Sequence, residues 1–409
     1  MFRFAPPLLG LFIFALGSGY LMTMVPLLVS SREGDGLLAG YLGGVYYLGL
    51  FAGSFRSERT VSRVGHIRSF AAFMALLCSS TLGLAITDSI PVWVVLRFLN
   101  GLAVAGIFVV VESWLLCESG QHNRGRILAI YMVALYGANA IGQLFIGFFP
   151  EGSPLAFVLI GLLFSLSIVP PSLARVPSPV LESAPGVNII ELFKLTPSAM
   201  LGCMMGGMVL GALYALLPVQ LLAQTGSNET VGVLMAVTMA GGMLLQYPVG
   251  HFSDFVDRRK VLVAISAAGS LCCLMYMLLD GAGWLATGLL FLIGGTTFAL
   301  YPIAISHGCD HMKPTDIVAG TQGLLLSYSL GSCIGPVVAG FFMHYLNGGL
   351  MLYFVLVMGL LTLFFLLRIP FRPAIVTGED QAFVAVTRTT PVVAQIDPRN
   401  ETTEHGHQK

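Results

Sequence analysis

The stretch RFLNGLAVAGIFVVVE runs from Arg97 to Glu112 and continues SWLLCES. Its two ends carry the only full charges well inside any of the chain's long apolar runs. Placing a charge in hydrocarbon costs a few kcal/mol, about 2.5 to 3.5 on insertion scales, so such a residue is either structurally paired or functional. Fifteen residues of helix span roughly 22 Å, with the two side chains about 60° apart around the axis. Arg97 and Glu112 therefore cannot pair with each other, and they mark two depths of a membrane.

Composition agrees. The chain is 56% hydrophobic and 10% charged, with a mean hydropathy of +0.86, against roughly 25% charged residues in an ordinary soluble domain. This is the composition of a polytopic membrane protein. The net charge of zero offers no basic surface for nucleic acid. The opening MFRFAPPLLG runs directly into a full-length apolar segment without a small-residue cleavage site, so an uncleaved first helix is expected. Seven scattered cysteines form no disulfide framework.

Apolar runs long enough to cross a bilayer recur at 8–29, 37–55, 69–86, 92–116, 127–149 and 155–173, then at 198–222, 231–250, 261–279, 284–306, 317–344 and 350–367. The spacing predicts an all-α protein of twelve transmembrane helices. A first six-helix bundle covers 1–174, a polar linker 175–197, a second bundle 198–370, and a disordered tail 371–409. Of the 20 Lys and Arg, Arg97 is intramembrane and Arg32 falls in an odd-numbered loop; the remaining 18 lie in the termini and even-numbered loops. That bias places both termini, the linker and the tail in the cytoplasm.

The two halves repeat. Pro26 and Pro218, and Gly40 and Gly232, are each 192 residues apart, as are SRVGHIR from Ser62 and DFVDRRK from Asp254. Gly142 and Gly335 are 193 apart. Matched helix order at one offset predicts two pseudo-symmetric six-helix bundles.

With these features the chain resembles the major facilitator superfamily of secondary transporters up to about Arg372. GHFSDFVDRRK from Gly250 is similar to the family's loop motif between helices 8 and 9, and RFLNG from Arg97 to its helix-4 motif. VVVESWLL from Val109, NRGRILAIYM from Asn123 and LLLSYSLGSCIGP from Leu324 resemble the YcaD-like branch, a bacterial group of unassigned substrate. The first-half loop copy departs from the family pattern at Ser62, where Asp is usual, and at Glu58, where Gly is usual. The second-half copy has Asp257 in place of Gly, and helix 5 lacks the Gly-Pro pair of drug antiporters. The resemblance implies the major facilitator fold in a bacterial inner membrane, no enzymatic activity, and no cofactor or metal. It also implies a small-molecule substrate, protons as a possible coupling ion, and a monomer in the lipid bilayer.

Candidate residues follow in two groups. For a substrate or proton pathway, the helix-4 resemblance implies a role for Arg97 with Asn100; the alternative is an arginine bonded to carbonyls that locks the first half. Glu112 can serve as a coupling acid, contact substrate, or pair with Arg68, Arg124 or Arg126. Polar positions at helical spacing add Tyr46 and Tyr47; Tyr136, Asn139 and Gln143; Tyr214; Thr297 and Tyr301; and Gln322 with Ser329 and Ser332. Each of these can equally be an interhelical bond. For gating, the loop motifs nominate Asp254, Arg258 and Arg259, with Arg63 and Arg68, against a reading as positive-inside anchors. The order HGCDH from His307 lacks a second ligand pair for a metal site. The expected function is a proton-linked or facilitative transporter of a small organic solute working by alternating access. Multidrug efflux, and a receptor or assembly protein that keeps the fold, are the alternatives.

Overall fold

A bilayer offers no partner to a bare N–H or C=O, so an apolar chain crossing it must satisfy its backbone within helices. The computed structural model describes residues 4–33, 36–118, 124–150, 152–174, 189–279, 283–312 and 317–369. Twelve of its helices are long and apolar enough to cross a membrane. The first half holds α1 (Ala5–Glu33), α2 (Gly36–Val64), α3 (His66–Ile86), α4 (Ile90–Glu118), α5 (Arg124–Gln143) and α6 (Pro154–Ser167), the last followed by a short α7 (Val169–Ser172). A connecting helix α8 (Ile189–Leu195) leads to α9 (Pro197–Thr225), α10 (Asn228–Phe255), α11 (Arg258–Leu278), α12 (Gly283–Cys309), α13 (Ile317–Tyr345) and α14 (Gly349–Arg368). Most of the linker, 175–188, and the tail from 370 onward lie outside the described residues.

Several helix ends differ from the hydropathy reading. The second apolar run ends at 55, yet α2 continues through the charged SFRSERTVSRV to Val64. Hydropathy reports the bilayer, whereas a helix continues as long as its backbone bonds do; Ser57 also bonds back to the Gly53 carbonyl at 2.7 Å. Gly65, at φ 83°, stops it and turns the chain into α3. The sixth run was expected to be continuous over 155–173, but α6 stops at Ser167 because Pro170 and Pro171 bring no N–H to the ladder. The fifth tightens into a 3-10 turn over Leu144–Phe148, where Gly147 backs onto Glu229 of α10.

Packing repeats between the halves. In the first, α1 packs on α5, α2 on α4, and α3 on α4 and α6; in the second, α9 packs on α13, α10 on α12, and α11 on α12 and α14. Glycines set these contacts by letting backbones touch. A side chain at Gly101 of α4 would strike the Tyr46 carbonyl of α2, and one at Gly294 of α12, 193 residues later, would strike the Thr238 carbonyl of α10. The halves meet through α2 against α13 and α5 against α10. There Gly40 abuts the Pro336 carbonyl and Gly232 abuts the Gln143 carbonyl, a symmetric pair at offsets of 192 and 193. Among the described residues, the closest glycine contacts between the halves, including Gly36 on Met343 and Gly44 on Cys333, all fall toward the end away from the chain termini. The outer surface carries exposed Leu162, Leu166, Leu271, Leu278, Leu360 and Leu367, as suits helices facing hydrocarbon.

On the termini side, Asp257 caps α11. Its Oδ1 accepts from the Arg259 amide at 3.0 Å and Nε at 3.1 Å, and its Oδ2 from Nη2 at 2.8 Å. Burial alone would raise the carboxyl pKa, but the Arg259 bonds outweigh it and hold it below the usual value. A carboxyl held low in the fold stabilises fully above its unfolded pKa of about 3.9, and that stabilisation fades as pH falls. Asp257→Ala is expected to cost about 1 to 2 kcal/mol near neutrality. Thermal unfolding in detergent should show the difference from wild type narrowing below about pH 4.

Candidate functional site

The glycine contacts that bring α4 against α2 also fix the setting of Arg97. Gly49 and Gly53 of α2 approach the carbonyls of Phe98 and Leu102, while Gly101 approaches that of Tyr46. One turn from Gly101, Arg97 is therefore pressed against α2 and is only 2% exposed. Its guanidinium carbon lies 4.7 Å from the centroid of the Tyr46 ring, a cation–π contact worth up to about 2 kcal/mol when desolvated. Nη2 reaches the Met22 sulfur of α1 at 3.9 Å, a weak acceptor. Among the described residues, neither Nε nor Nη1, both buried, has a hydrogen-bond partner. Unsatisfied buried donors on a charged group are costly, and their chemistry is to take acceptor oxygens, two at a time from a carboxylate.

Aromatic side chains from both halves surround the same interior. Tyr46 and Tyr47 pack edge to face at 5.3 Å. Tyr136 of α5 meets Phe298 of α12 across the interface at 5.5 Å, and Tyr214 of α9 approaches the same ring at 6.1 Å. Tyr301 of α12 lies 4.6 Å from Tyr328 of α13. Beside Phe298, the Thr297 hydroxyl is buried with no hydrogen-bond partner. The interior thus combines flat apolar faces and phenols with the unspent donors of Arg97, the surroundings that orient a small organic solute.

Other sequence candidates sit in defined bonds. Asn100 donates from Nδ2 to Ser80 Oγ at 2.7 Å and Thr81 Oγ1 at 3.4 Å, joining α4 to α3. Gln143 accepts from Thr23 at 2.5 Å, donates to the Gly19 carbonyl at 2.9 Å, and reaches the Met239 sulfur at 3.6 Å, tying α5 to α1 and α10. Asn139 donates to the Leu135 carbonyl of its own helix at 2.8 Å, and Ser332 to that of Tyr328 at 3.1 Å. Gln322 is half-buried on α13, and Ser329 is buried there. Glu112 is 1% exposed, and its Oε1 accepts from the Tyr131 hydroxyl at 2.6 Å. Arg68 and Arg126 are exposed and form no ion pair among the described residues, and the Arg124 side chain lies outside them.

At the termini side of the second half, Arg258 is 2% exposed and donates to Asp254 Oδ1 at 3.1 Å, Asp310 Oδ1 at 2.5 Å and the Ser306 carbonyl at 3.0 Å. These bonds join α10, α11 and the end of α12 within one bundle. Arg259 bonds to Asp257 and, at 3.4 Å, to the Ile369 carbonyl. Arg63 and Arg68 are exposed and unpaired among the described residues. In the first half, 192 residues before Arg258, stands His66; its Nε2 lies 2.9 Å from Ser113 Oγ, and Ser113 is the counterpart of Ser306.

Sequence reasoning did not single out Tyr328, Phe298, Met22, Tyr131 or Gln246, and it met Asp310 only inside the HGCDH order, not as a partner of Arg258. Gln246 is 3% exposed, and neither of its amide atoms has a hydrogen-bond partner. A deep amide in α10 was a usable signal, as was an acid just past α12, where a buried arginine needs one.

Twelve spans in two mirrored six-helix bundles are the architecture of the major facilitator transporters. The Major Facilitator Superfamily profile matches residues 8–326 and 199–396, and the chain belongs to this superfamily of non-enzymatic, multi-pass membrane transporters. It is 31% identical over 366 residues to the uncharacterized MFS-type transporter YcaD of Escherichia fergusonii, covering 88% of this chain and 94% of that protein. The Salmonella enteritidis protein of the same name is 31% identical over 369 residues, with the same coverage of each chain. Among solved structures, the nucleoside transporter NupG superposes with a TM-score of 0.73 at 14% identity, covering 91% of this chain and 100% of that one. A D-xylose-proton symporter gives 0.67 at 12% identity, covering 88% and 96%. At these identities the likeness to the two structures is one of fold.

Proposed function

We propose that this protein is a proton-linked secondary transporter of a small organic solute rich in oxygen acceptors, working by alternating access around Arg97. The observation that carries the proposal is the guanidinium buried among tyrosines with Nε and Nη1 unbonded. A charge kept in that state at a cost of a few kcal/mol is explained by a ligand that supplies the missing acceptors.

With the termini cytoplasmic, as the Lys and Arg distribution implies, the end sealed by Gly40 on Pro336 and Gly232 on Gln143 faces outward. The bundles then rock about the aromatic layer, and the Arg258 network with Asp254 and Asp310 holds the cytoplasmic end of the second bundle as a unit. Glu112, bonded by Tyr131, is the acid assigned to coupling. A proton crossing the membrane releases about 2.3 kcal/mol per 100 mV, enough to drive modest accumulation. In proteoliposomes, Glu112→Gln is expected to reduce pH-driven flux to the rate seen without a gradient. Flux that still follows the pH gradient in this variant would remove Glu112 from coupling.

A further inference from the structure

We infer that the cleft between the start of α9 and the ends of α12 and α14 binds a phosphate group. The cleft is small and open to solvent, and it is lined by Thr196, Ser198, Arg259, His307, His311 and Arg368. It lies on the termini side, away from the aromatic interior, and does not depend on the transported solute.

Three features point to an anion. First, α9 is a 29-residue helix that begins at this cleft. The amides of Ser198 and Ala199 stand in its first turn, where the helix itself supplies no carbonyl for them and its dipole favours negative charge. Second, Thr196 at the N-cap makes no capping bond through its side chain, is only 3% exposed, and has a hydroxyl without any partner. An N-cap hydroxyl normally closes the helix by accepting from its amides; here it is left as a donor for the cleft. Third, the remaining walls are basic. Arg368, in the last turn of α14, forms no ion pair among the described residues. The His311 Nδ1 donates to the His307 carbonyl at 2.9 Å, so its Nε2 offers a proton to a phosphate oxygen in the imidazolium form. The neighbouring carboxylate, Asp257, is already engaged by Arg259 and does not line the cleft.

A tetrahedral oxyanion answers all of these donors at once. The cleft opens where α9 starts and where α12 and α14 end, the depth of lipid headgroups, and basic pockets between helices at that depth take headgroup phosphates. The phosphate comes from an anionic lipid or from a soluble phosphate, and one experiment separates the two.

Purified, delipidated full-length protein is unfolded thermally with inorganic phosphate against chloride at equal ionic strength, and with phosphatidylglycerol against phosphatidylcholine in the micelle. Wild type is expected to be stabilised by at least one phosphate source over its control, with the apparent affinity about tenfold weaker in Arg368→Gln and several-fold weaker in Thr196→Val. Each variant is scored against its own ligand-free midpoint. Thr196→Val, which changes no volume, carries the test if Arg368→Gln does not fold. A shift with phosphatidylglycerol alone identifies a headgroup site, and a shift with inorganic phosphate a site for soluble anions. The inference is overturned if neither source differs from its control, if both variants respond as wild type does, or if Lys260→Gln, an exposed cation outside the cleft, weakens the response equally.

Discussion

Arg97→Gln is expected to abolish solute-dependent flux in proteoliposomes while leaving the protein at least as stable as wild type. The reason lies in the difference between two buried arginines. Arg258 is bonded to Asp254, Asp310 and the Ser306 carbonyl, so removing it would strand two carboxylates and cost about 3 to 5 kcal/mol. Among the described residues, Arg97 holds a tyrosine face and a thioether, with two nitrogens unbonded. Its burial costs about 2.5 to 3.5 kcal/mol, and the cation–π contact returns about 2. Arg97→Met should therefore raise the midpoint of thermal unfolding slightly, and Arg258→Met should lower it sharply. Loss of charge-assisted bonds worth about 1.5 to 3 kcal/mol predicts solute binding roughly ten- to 150-fold weaker without the guanidinium. Thermal unfolding of the two variants beside a flux assay checks both halves of this expectation. A clear loss of stability in Arg97→Met, comparable with that in Arg258→Met, would make Arg97 a structural residue.

The second large effect is expected at Gly40. Its Cα rests on the Pro336 carbonyl at the end away from the termini, so Gly40→Leu has no room unless α2 and α13 separate. Overpacking of this kind costs about 1 to 3 kcal/mol. Where two states differ by a few kcal/mol, that moves the population roughly ten- to 100-fold toward the state in which the contact is broken. Cys333 lies at the same seam, its carbonyl against Gly44, and supplies a native reporter. In a protein retaining only this cysteine, Gly40→Leu should raise labelling by a membrane-impermeant maleimide about tenfold. Gly101→Leu should not, because its clash lies inside the first bundle against Tyr46; it should instead lower the yield of folded protein. Unchanged labelling in a well-folded Gly40→Leu protein would mean that the seam does not open.

The membrane architecture could be read from the sequence because hydrocarbon imposes a single rule on every span. The 192-residue offset was legible for a related reason: Gly40 and Gly232 occupy equivalent backbone contacts, where no side chain fits. Helix ends were less legible, since α2 runs on through charged residues once its backbone bonds are set. Around the candidate site, the depth of Arg97 followed from hydropathy, but its neighbours did not. Tyr328 sits one position off the polar stripe of Ser329 and Ser332, and it comes to Tyr301 through the packing of α12 and α13. Asp310 read as part of a cysteine and histidine cluster, and its bond to Arg258 spans 52 residues. Asn100, adjacent in the motif to Arg97, bonds instead to α3. Helical spacing assigns a face but not the helix that face meets.

The assignment of Arg97 to the solute is tested most directly by a thermal-shift screen of purified wild type and Arg97→Gln against organic acids, sugars, nucleosides, amino-acid derivatives and cationic drugs. A ligand that binds the folded state raises the midpoint in proportion to its affinity. The expected result is a class of oxygen-rich solutes that stabilises wild type, with the shift lost in Arg97→Gln. A solute that stabilises both proteins equally, or stabilisation by cationic drugs alone, would contradict a substrate site built around this guanidinium.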